Sequence, residues 1–167
     1  ESAVVPGLPL QVAQPRDGDT VVFARLISRA GHASAAGTRT VVFHILRPPE
    51  RPPLLEVEQR FPGGGGEIVD TALGELRTLR AVAHRSHQPS RTMRVAFDST
   101  SAYGVVTFIR PAGDSVVDVR QSLEGPIFDS NVIDLVAASL PLRPGFAADI
   151  PFFIYERGGR VVMPVAV

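Results

Sequence analysis

The chain has 167 residues, 44% of them hydrophobic, with 17 acidic and 17 basic side chains and no cysteine. That length suits one domain able to bury about 70% of its unfolded surface without metal or disulfide. The balanced charge argues against a disordered chain and against a nucleic-acid binder, and the lack of cysteine removes thiol chemistry. No apolar run approaches the ~20 residues that a spanning helix needs. Every basic residue is arginine.

Residues 1–18 are rich in Pro and Gly and read as an irregular leading segment, with a single β-rich domain expected over 19–167. Glu1-Ser2-Ala3 reads as a trimmed terminus, so a periplasmic or extracellular protein whose signal has been removed is expected. Strand-like runs then follow at 10–20-residue spacing, which favours an antiparallel meander. Thr20–Ser28 and Thr38–Leu46 form the first pair, joined by the small-residue loop AGHASAAG. His44 reads as a packed residue of the second strand. The RPPERPP stretch at 47–53 lacks the amides for a ladder and reads as a stiff connector.

Leu55, Val57 and Phe61 alternate with Glu56, Glu58 and Arg60, a strand wet on one side. The glycines 63–66 read as a hairpin loop, because no Gly-Lys-Ser/Thr ending makes them a phosphate cradle. EIVDTALGELRTLRAV suits a strand or a short helix. Strands are predicted at Leu76–His84, Arg91–Asp98, Tyr103–Arg110 and Ser115–Leu123.

PIFDSNVIDLVAASLPLRPGF carries the strongest helical signal. Asp129 or Ser130 caps the helix, Val132, Leu135, Val136 and Leu140 recur at helical spacing, and Pro141 stops it. Ala148, Ile150, Phe152 and Ile154 then alternate, and Gly158-Gly159 turns the chain into Arg160–Val167. In that last run Val161, Met163, Val165 and Val167 form one apolar face, while Pro164 restricts ladder pairing to one side. The run is predicted to pair in a hairpin with Ala148–Tyr155; the alternative is pairing with another subunit, for which these four are the assembly-edge candidates.

Candidate chemistry is sparse. His84 and His87 in HRSH face opposite ways on a strand, so no metal site is expected. FDSTSAYG, with Asp98, Ser99 and Ser101, reads as a turn between strands. Asp129 and Asp134 are explained by helix capping and a solvated helix face. No catalytic residue, metal or cofactor is expected, although a hydrolase built on the histidines stays open. Tyr103, Phe108, Leu135, Phe152, Phe153 and Tyr155 either line an apolar ligand cavity or complete the core.

IFDSNVIDLVAASLPLRPGF followed by AADIPFFIYERGGRVVMPVAV, with RTMRVAFD and YGVVTFIR before them, resembles a domain-of-unknown-function family of exported bacterial proteins. That family is itself thought to resemble the half-barrel lipoprotein carriers of the periplasm. The resemblance covers roughly residues 70–167 and implies further strands after Val167. The expected fold is mainly β: a strongly curved antiparallel sheet, an open or half barrel, with one short helix in its concave face. The expected function is non-enzymatic binding of an apolar small molecule, lipid or protein segment in that concavity. The alternative is a structural subunit that forms a homo-oligomer or filament through its edge strands.

Overall fold

A computed structural model describes Pro6 and residues 15–29, 32–63 and 65–167. The leading segment expected over 1–18 lies largely outside the described residues. Eight strands run in chain order as one antiparallel meander: β1 (Thr20–Arg29), β2 (His32–Leu46), β3 (Leu54–Gly63), β4 (Gly66–Glu75), β5 (Ala81–Gln88), β6 (Arg91–Phe97), β7 (Ser101–Phe108) and β8 (Ser115–Ser122). β1 and β8 do not pair with each other, so the sheet stays open as a half barrel.

A second, three-stranded sheet comes from the C-terminal part. The two-residue β9 (Phe128–Asp129) pairs in parallel with β10 (Ala147–Ile154), and β10 forms an antiparallel hairpin with β11 (Gly159–Ala166). Between β9 and β10, a 3-10 turn at Ser130–Val132 leads into α1 (Ile133–Ser139). Asp129 caps this turn by accepting a 2.8 Å bond from the Asn131 amide, as the sequence predicts. Val132 and Val136 are fully buried, and Leu135 and Leu140 pack at the edge of the same cluster. Among the described residues no helix is long and apolar enough to cross a membrane.

The concave face holds two apolar clusters. The first joins Val41, Phe43, Leu55 and Val57 of β2 and β3 to Val132, Val136, Phe128, Ile150 and Phe152 of the C-terminal layer. The second joins Met93, Val95, Ala102, Val106 and Val119 of β6–β8 to Ile127 and Phe153. Adjacent Phe152 and Phe153 point to opposite sides of β10 and so serve different clusters. Close strand approach is built in at Gly104, where an added Cβ would lie 1.9 Å from the Arg94 carbonyl oxygen and 2.8 Å from Val95 Cα.

Two expectations need correction. The stretch read as a loop between the first two strands belongs to β2 from His32 onward, because β1 pairs with it as far as Arg29↔His32. The strand expected over Leu76–His84 begins only at Ala81. A turn at residues 76–79 precedes it, held by the Leu79 amide to the Glu75 carbonyl at 2.8 Å and by the Glu75–Arg80 ion pair. Leu79 takes a left-handed φ of 53° there and is buried in the first cluster. Burial of the leucine offsets a backbone cost of about 1–3 kcal/mol. Tyr155, expected at a strand end, opens a short 3-10 turn, Tyr155–Arg157.

A buried polar seam between two apolar clusters as candidate functional site

Residues directly opposite in an antiparallel ladder share a face. The register Gln59↔Asp70↔Ser86 therefore draws a polar line across β3, β4 and β5 on the concave side, flanked by Val41 and Met93. His84, two residues from Ser86, adds to it on the same face. Gln59, His84 and Ser86 are all buried. The line falls between the β2–β3 cluster and the β6–β8 cluster, so the two apolar regions meet along a polar seam.

The C-terminal layer closes the seam from above with polar groups of its own. His84 Nδ1 lies 2.8 Å from Asp129 Oδ2, and both residues are almost wholly buried. Burial works against a charged imidazole, but the charge of Asp129 and its hydrogen bond outweigh it, so His84 titrates above its ordinary value. Gln59 Nε2 donates to the Asn131 carbonyl at 2.9 Å. At the open end Arg91 binds Glu156 at 2.5 Å and lies against the Tyr155 ring. Burial favours the neutral acid at Glu156, yet the bond from Arg91 holds its carboxyl below the usual range.

Three atoms in this seam have no protein partner among the described residues. Asp70 Oδ1, Arg91 Nε and Asn131 Nδ2 are buried without a hydrogen bond. Burial raises the Asp70 carboxyl above its ordinary value, although the Ser86 hydroxyl and His84 pull the other way. His84 and Asp129 form one pair and Arg91 and Glu156 another, which leaves Asp70 as the seam's unpaired acid. One acceptor and two donors are thus left open in a place where most polar atoms are satisfied.

The family model described as "Protein of unknown function (DUF3108)" matches residues 52–167, from the approach to β3 through β11. The chain belongs to the DUF3108 family. Every residue of the seam falls inside the matched DUF3108 region, whereas β1 and β2 lie before it. No curated protein and no solved structure matches the chain.

The sequence-selected residues of this DUF3108 domain fall in several places. Phe152 and Phe153 are core side chains, Phe108 and Tyr155 pack against the second cluster, and Leu135 packs against the first. Tyr103 stands 50% exposed on the outer face of β7. Met163 and Val165 pack against the first cluster, Val161 is half-buried, and Val167 is exposed. His44 lies partly exposed, 3.8 Å from Asp17. Asp98 accepts the Thr100 and Ser101 amides, both at 2.7 Å, and so makes the β6–β7 turn. Asp134 pairs with Arg39 at 2.5 Å.

Sequence reasoning missed the seam itself. Gln59 and Asp70 each continue an apolar inward series in their strands, and a polar residue in such a series is the signal that could have found them. The seam's hydroxyl is not placed as a nucleophile beside a base. Ser86 Oγ accepts from Gln88 Nε2 at 3.2 Å, while His84 engages Asp129 through Nδ1. Among the described residues no group of three His, Cys, Asp or Glu side chains converges as a metal site.

Proposed function

We propose that this DUF3108 domain is a non-enzymatic binding domain that receives an amphipathic molecule of the lipid class in the concavity of its sheet. The polar part of the ligand sits in the seam and its hydrocarbon part lies along the adjoining apolar clusters. The observation that carries this reading is the trio of unsatisfied buried atoms, Asp70 Oδ1, Arg91 Nε and Asn131 Nδ2, between two apolar regions. A seam with only a structural role gains nothing from unsatisfied polar atoms, whose burial costs about 1–3 kcal/mol each. A hydroxyl or amide head donates to Asp70 and accepts from the other two. The resemblance to half-barrel lipoprotein carriers supports the same reading, and with it a periplasmic or extracellular location in a bacterium. The cysteine-free composition is compatible with that location.

Displacement of an environment-sensitive apolar dye by a twelve-carbon monoacylglycerol tests the proposal. Saturable displacement is expected, weakened at least tenfold by Asp70→Leu. Dye release that Asp70→Leu leaves unchanged would remove the seam from the account.

A second reading, assembly through strand edges, rests on a separate observation. Among the described residues β8 is an open edge with Val116 and Val117 64% and 46% exposed, and β1 is the opposite open edge with Val22 and Leu26 exposed. Long apolar edges of this kind are templates for pairing with another chain.

A further inference from the structure

On the outer face of the sheet, away from the seam, Arg85 of β5 and Arg94 of β6 are directly opposite each other in the ladder. Their Cβ atoms are therefore about 4.5–5.5 Å apart, a spacing at which like charges destabilise a strand pair. Neither guanidinium has a hydrogen bond or an ion pair among the described residues, although the chain has one acid for every arginine. Other arginines of the chain do find acids, as Arg39 does with Asp134 and Arg60 with Glu58. The pair is insulated from acids on its own row. Thr71 stands between Arg85 and Glu58, and Val105 between Arg94 and Asp118.

The two arginines line a groove of about 440 Å³ whose other polar side chains include Thr71, Thr92, Thr107 and His87. Among the described residues no carboxylate lines it. Two planar donor forks, three hydroxyls and an imidazole thus share one concave surface with nothing negative to receive them. Guanidinium forks match the oxygen spacing of phosphate and sulfate, and hydroxyls complete such a shell.

We propose that this outer groove binds a compact oxyanion, a phosphate or sulfate group, clamped between Arg85 and Arg94. The anion offsets the repulsion of the pair. Arg85 and Arg94 project from the sheet face opposite the seam, and the groove meets the seam only at Ser86 and Met93, which border it.

Titration of the 15N-labelled chain with sodium phosphate, at ionic strength held constant with chloride, tests this. Saturable amide shifts centred on Arg85 and Arg94 are expected, with a midpoint below about 1 mM, and the Arg85→Gln/Arg94→Gln variant is expected to lose them. In chloride alone that variant should melt no lower than the parent, because it removes a repulsion. Glycerol phosphate and vesicles of phosphatidylcholine with phosphatidic acid separate the two sources of the group. Binding of the former alone assigns a soluble phosphoester, and co-sedimentation with the latter assigns a lipid head. Shifts no larger than those with chloride, or shifts that persist in the double variant, would overturn the proposal. So would a double variant that melts lower in chloride.

Discussion

At the scale of single residues, the seam makes stability depend on pH in two ways. The unfolded His84 imidazole titrates near 6.5 and the folded one higher, so folding takes up a proton above that pH. The His84–Asp129 pair contributes fully below pH 6.5, and its contribution is lost as pH rises through the folded value. Denaturant melts across this range should show falling stability in the parent and a flattened slope in Asp129→Ala. That variant should also lose about 3–5 kcal/mol, because it leaves a buried imidazole without its partner. A slope unchanged in Asp129→Ala would assign the dependence to another group.

Asp70 acts in the acid range. Its unfolded carboxyl titrates near 3.8 and the folded one higher, so stability falls as pH rises between those values and stays reduced above them. Asp70→Asn should therefore raise the melting temperature at pH 7 and leave it nearly unchanged at pH 3. Equal shifts at both pH values would contradict burial of a charged Asp70.

At the scale of elements, the C-terminal layer covers both apolar clusters of the sheet. Phe128 and Phe152 are fully buried and meet with their rings tilted by 42° at 5.8 Å between centroids, so Phe128→Ala should cost about 3–5 kcal/mol. Leu135 is only partly covered, and Leu135→Ala should fall at or below the low end of the 2–5 kcal/mol range for buried leucines. Reversed ranking in urea melts would place the helix differently on the sheet. Gly104→Ala should be more disruptive than its size suggests, since its methyl meets backbone atoms of β6, which cannot rotate away. The hairpin of β10 and β11 was legible from the alternation of Ile150, Phe152 and Ile154, the glycine pair and Val161, Met163 and Val165. The helix was legible from Asp129, Val132 and Val136. The turn at Leu79 was not, because LRTLRAVAH contains no Gly, Pro, Asn or Asp to mark a turn and the left-handed leucine gives no local sign.

For the whole molecule, the half barrel follows from a meander whose inward residues are mainly apolar on β2–β3 and on β6–β8, crossed at β3–β5 by the polar line Gln59, Asp70 and Ser86. The fold class could be read from that alternation. The seam could not, because it is assembled from Gln59, Asp70, His84, Asp129 and Asn131, which come together only when the C-terminal layer folds back over the sheet. By this proposal the seam, with the apolar clusters beside it, binds an amphipathic molecule. Native mass spectrometry of the chain incubated with a mixture of glycerolipids tests it most directly. The expected spectrum has one added lipid per chain, carrying an uncharged hydroxyl head, and that adduct disappears in Asp70→Leu while the bare chain keeps its folded charge distribution. A bare chain with every lipid offered, or an adduct that survives Asp70→Leu, would contradict the account.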